Sequence, residues 1–171
     1  MKMIVVLLLL FAGSDGISQV KSNIGLLAGT EYSARDSIIQ IGNTRLSNNG
    51  SGYLLPKANA TDPQYAIAFA NNDESIFYLL VNHGTQKGAR QIISDVLEIN
   101  RTAIRPNRKI TEYCETSQGA DPEIFALVKA KGNPEFYTKI IKAWRANRTT
   151  GKFELANPKK IKRCGTESFG I

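Results

Sequence analysis

Two carboxylates one residue apart, Asp121 and Glu123, are the nearest this chain comes to an acid–base pair. On a strand they would project from the same face. That is how a glycoside hydrolase could hold one group to protonate a leaving oxygen and the other to activate a water or attack the sugar. They also sit at the end of a turn, Gln118 to Pro122, where acidic residues commonly serve solubility. His83 is the only histidine, so any Ser–His–acid or Cys–His mechanism must use it. It follows an apolar strand, from which a base can be displayed, but Asn82 to Thr85 also reads as an ordinary turn. The chain has no G-x-S-x-G element. Gly84 to Arg90 (GTQKGAR) misses the phosphate-loop spacing. Asp73 and Glu74 read as a hairpin tip.

Cys114 and Cys164 are the only cysteines. In an exported chain an even count favours a disulfide. Closing a loop of this length contributes about 4 kcal/mol in the chain-entropy picture. Two cysteines and one distant histidine do not make a tetrahedral metal set, so neither metal nor cofactor is expected.

The net charge of +7 is unevenly placed. Residues 19–100 hold six basic and seven acidic side chains, and residues 101–171 hold fifteen basic and seven acidic. Lys139, Lys142, Arg145, Arg148, Lys159, Lys160, Lys162 and Arg163 form a possible basic binding patch. Its partner would be an anionic envelope component or an acidic protein. The same side chains also read as a well-solvated face. Nucleic-acid binders add exposed aromatics to such charge. Here Phe136, Tyr137 and Trp144 read as core, and export separates the chain from nucleic acid.

Export is expected from the first 18 residues. A basic start, Met1 to Met3, precedes an apolar run, Ile4 to Gly13, and a small polar stretch, Ser14 to Ser18. That is the layout of a secretory signal peptide cut before Gln19. The run is about half the roughly 20 residues that span a bilayer, so no stable membrane insertion is expected. Cleavage would leave 171 − 18 = 153 residues in the periplasm or outside the cell. Asn49, Asn59, Asn100 and Asn147 begin N-x-[ST] matches, which chance explains in an Asn-rich chain.

These groups need positioning elements. Strands are expected at Ile24 to Leu27 and Ile38 to Ile41. A turn at Asn48 to Gly52 should lead to a return strand at Tyr53 to Leu55. Tyr65 to Ala70 and Ser75 to Val81 read as a hairpin whose second strand is central and covered on both faces. Ile110 to Cys114, Ile124 to Lys129, Lys152 to Leu155 and Ile161 to Cys164 read as further strands; Gln91 to Ile99 reads as a strand too, although Ile92, Ile93, Val96 and Leu97 also fit a helical face. A helix is expected from Pro134 to about Asn147. Asn133 suits its N-cap, Pro134 its first turn, and Thr149 to Gly151 its end. Phe136, Tyr137, Ile140, Ile141 and Trp144 would form its buried face, with Lys139, Lys142 and Arg145 opposite. The expected fold is α+β, an antiparallel sheet with this one main C-terminal amphipathic helix packed on it. Residues 19–105 would be a β-rich part, and residues 106–171 an α+β unit with the disulfide, the two forming one compact domain.

The run Cys114, Asp121, Glu123, KAWRAN (Lys142 to Asn147), TGKFE (Thr150 to Glu154) and Cys164 with a Gly-rich end resembles small exported proteins of Bacteroidota. The resemblance covers about 60 residues and implies export without implying an activity. The reading is therefore a small, exported, non-catalytic binding or interaction protein, with a small cell-envelope hydrolase using Asp121, Glu123 or His83 as the alternative.

Overall fold

A computed structural model describes residues 27–41, 44–57, 59–84, 90–132 and 134–165. The expected leader, most of the strand at 24–27, most of the GTQKGAR loop, the cap at Asn133 and the Gly-rich end lie outside the described residues.

The fold is almost entirely β, not α+β, and no helix of seven or more residues occurs among the described residues. The first sheet is an antiparallel meander. It contains β1 (Ile38–Ile41), β2 (Thr44–Leu54), β3 (Tyr65–Asn71), β4 (Ser75–Asn82) and β5 (Ile92–Asn100), in that order. The remaining strands are β6 (Arg108–Thr111), β7 (Cys114–Thr116), β8 (Gly119–Ala120), β9 (Ile124–Lys129), β10 (Phe136–Tyr137), β11 (Ile140–Asn147), β12 (Lys152–Ala156) and β13 (Ile161–Gly165). They form a second sheet, β12-β11-β9-β6, and a third, β10-β13-β7-β8.

The second sheet lies between the other two, and β9 shows why. Its IFALVK run is buried at five successive positions. Phe125 and Leu127 join a core with Ile67, Tyr78, Leu80 and Leu97 of the first sheet. Ile124, Ala126 and Val128 join a core with Cys114, Ile161 and Cys164 of the third. A continuous apolar run is what a strand covered on both faces requires. The far face of the first sheet carries its own core, in which Ala68, Phe77, Leu79 and Val81 pack under Leu27 and Tyr32.

The expected helix is instead β10 and β11. The i, i+3, i+4 spacing that suggested it comes from a β-bulge. Ile140 pairs with Val128 and Lys142 with Leu127, which leaves Ile141 as an extra residue. Tyr137 and Ile140 face the core toward the third sheet, whereas Ile141 and Trp144 face the core toward the first. One apparent helical face is thus divided between two cores. Lys142 does not lie opposite Trp144: its Nζ sits 5.3 Å from the centre of the Trp144 ring.

The expected turn at Asn48 to Gly52 is also absent. β2 runs through it, with a bulge between Asn48 and Gly52. Asn48 is buried, and its Nδ2 donates to the carbonyls of Ser33 (3.1 Å) and Asp36 (2.8 Å). Its turn chemistry is spent on tying down the N-terminal segment. Gly52 is needed for close approach, since a Cβ there would lie 2.3 Å from the Ile67 carbonyl oxygen. The expected strand at Ile110 to Cys114 is divided, with Thr111 ending β6 in the second sheet and Cys114 opening β7 in the third.

Cys114 and Cys164 are disulfide-bonded. They are direct partners in the register of β7 and β13, with Cα atoms 4.0 Å apart. A structural disulfide fits a non-cytoplasmic environment. Among the described residues, no helix is long and apolar enough to cross a membrane.

Candidate functional site

Asp121 and Glu123 stand where the chain enters β9. The Asp121 backbone N–H donates to the Cys114 carbonyl (2.9 Å), and its carboxylate accepts from the Glu123 N–H (3.1 Å). Glu123 is buried. β11 runs antiparallel beside β9 and brings Arg145 opposite Ile124. Arg145 Nη1 donates to Glu123 Oε2 and Nη2 to Asp121 Oδ2, each at 2.5 Å. Arg148 adds its Nε and its backbone N–H to Glu123 Oε1. Two arginines therefore close over the two carboxylates. Burial works against the charge on Arg145, but Asp121 and Glu123 outweigh it and hold the guanidinium above its ordinary pKa.

The turn after β11 extends this polar end. Asn147 Oδ1 accepts from the backbone N–H groups of Thr149 (2.9 Å) and Thr150 (3.3 Å). Asn147 Nδ2 and Thr150 Oγ1 donate to Glu154, holding its carboxyl below the usual range. Gly151 has φ +65° and packs under Tyr65 of the first sheet. Thr149 to Gly151 thus form a hairpin turn between β11 and β12, not a helix end.

His83 follows β4 and is half-buried, and burial lowers its pKa. The hydrogen bonds around it link Gln64, Asn82, Gly84 and Tyr65, not Asp121 or Glu123. The cysteines are both taken up in the disulfide. Among the described residues, no group of three or more His, Cys, Asp and Glu side chains stands together as metal ligands.

The eight basic residues divide by chemistry. Arg145 and Arg148 are paired as above. Arg163 pairs with Glu115 (2.8 Å) and lies over the Phe136 ring at 3.8 Å. Lys159 and Lys160 occupy a short 3-10 turn capped by Asn157, and Lys162 is exposed on β13. Lys139 and Lys142 lie elsewhere, on β11 and the residue before it. Antiparallel pairing places two further basic residues beside them. Arg108 of β6 is opposite Lys129 of β9, and the Lys129 N–H donates to the Lys139 carbonyl (2.9 Å). Sequence reading missed Arg108 and Lys129. The available signal was a basic residue at one end of each of two strands that pair antiparallel.

No family model, curated protein or solved structure matches this chain.

Proposed function

We propose that this is an exported, non-catalytic binding protein of the periplasm or cell surface. Its C-terminal basic side would take an anionic envelope component or an acidic protein. The resemblance to small exported proteins of Bacteroidota belongs to the same proposal.

The observation that carries the reading is the closure of Arg145 and Arg148 over Asp121 and Glu123. A glycosidase needs one carboxyl able to give up a proton and one open to sugar or water. The two guanidiniums sit at hydrogen-bond distance from these carboxylates and take the space that a sugar oxygen or a water would need beside them. This favours a structural role for the pair over the hydrolase alternative. Burial of Tyr137 and Trp144 removes two candidate stacking platforms for bases. The disulfide supports a location outside the cytoplasm.

The test incubates the purified protein with purified envelope polysaccharides and follows new reducing ends. The reading predicts no release above the buffer blank. Release that disappears in Glu123→Gln or His83→Ala would establish the hydrolase instead.

A further inference from the structure

Arg108, Lys129 and Lys139 form one row across three neighbouring strands. Arg108 pairs with Lys129 in the register of β6 and β9. On the other side of β9, Ile140 pairs with Val128, so Lys139 continues that register opposite Lys129. Directly opposed residues share a face of a sheet. Lys142, paired with Leu127, stands on the same face over the Trp144 ring. Among the described residues, no acidic side chain forms an ion pair with any of these four. Like charges directly opposed on a sheet are destabilising. The arginines at the other end of β11 each have carboxylate partners, so along this strand the charge without an ion pair lies at the Lys139 and Lys142 end.

We infer that the face carrying Arg108, Lys129, Lys139 and Lys142 binds an acidic polysaccharide laid across the ends of β6, β9 and β11. This rests on the binding reading above and assigns its site and ligand class. Neighbouring strands are about 4.8 Å apart, so the three-residue row spans about 10 Å. Cations fixed at that spacing match a chain with repeated sulfate or carboxylate groups better than one small ion. Lys129 and Lys139 are exposed at the end of a sheet, where a long polymer can reach. Lys131 and Thr138, exposed beside the row, are polar rather than the apolar groups that enter a bilayer.

The experiment titrates the folded protein with a size-defined heparin oligosaccharide as probe, at about 0.15 M salt. Vesicles containing phosphatidylglycerol and a polyglutamate peptide run in parallel. Two triple variants remove equal charge: Arg108→Ala with Lys129→Ala and Lys139→Ala, and Lys159→Ala with Lys160→Ala and Lys162→Ala. The first should weaken probe binding at least about tenfold and the second less than about threefold, because localised contacts lose more than the general field does. Lys129→Glu guards against misfolding: it should keep or raise the melting temperature while abolishing binding. Equal losses in the two triples, no binding by the unaltered protein, or tighter binding to vesicles or polyglutamate would overturn the inference. Cleavage of the probe would overturn the non-catalytic reading itself.

Discussion

Trp144 of β11 lies directly opposite Phe125 of β9, with their ring centres 5.6 Å apart and their planes 19° from parallel. Phe125 in turn stacks on Tyr78 of the first sheet at 4.7 Å. The stack crosses from one sheet to the next, so Trp144 fastens layers rather than filling one strand's neighbourhood. Trp144→Ala should destabilise the fold by about 3–5 kcal/mol. The indole Nε1 is buried and has no hydrogen-bond partner among the described residues. Trp144→Phe removes that unpaired donor and should cost distinctly less. Denaturant titrations check both. Native tryptophan emission should be blue-shifted and poorly quenched by iodide.

The disulfide joins positions 50 residues apart. Reduction, or Cys114→Ala with Cys164→Ala, should lower stability by about 4 kcal/mol in the chain-entropy picture. Melting with and without reductant measures it. Intact-mass analysis of the purified protein should find no free thiols.

Glu112 gives a pH dependence of definite sign. Its carboxyl is half-buried beside the Tyr78 hydroxyl. Burial raises its pKa above the ordinary 4.5, although Tyr78 and Lys109 oppose the shift. The folded state therefore holds the proton more tightly than the unfolded chain. This contribution is fully present below the ordinary value and is lost as pH rises through the raised one. Glu112→Gln should flatten that part of the stability profile, measured by denaturation at intervals between about pH 4 and about pH 8.

Most of the strands were legible because they are local. The YAIAFA and SIFYLLV runs, and the polar turn between them, became β3 and β4 with their expected pairing. The apolar IFALVK run became a strand covered on both sides. The Pro134 to Asn147 segment misled because a bulge at Ile141 imitates helical spacing, and a bulge is fixed by the partner strand. Asn48 misled because its side chain binds the backbone at Ser33 and Asp36, a tertiary use of a turn residue. Asp121 and Glu123 were legible as a pair. The arginines that neutralise them were also visible, but Arg145 was placed on the exposed side of a helix and Arg148 near its seam. Only the register of β9 and β11 brings the two sets together, and register is not written in either strand alone.

If Asp121 and Glu123 serve the fold rather than chemistry, their contacts with Arg145 and Arg148 must contribute to stability. A double-mutant cycle between Glu123→Gln and Arg145→Met, read by chemical denaturation, tests this most directly. Each single variant strands a partly buried charge. Substantial losses are therefore expected for both singles, with a coupling energy of at least about 1.5 kcal/mol, as close charge pairs show elsewhere. A coupling near zero, with Glu123→Gln as stable as the unaltered protein, would mean that the carboxylate is free and that the pair does not hold the fold.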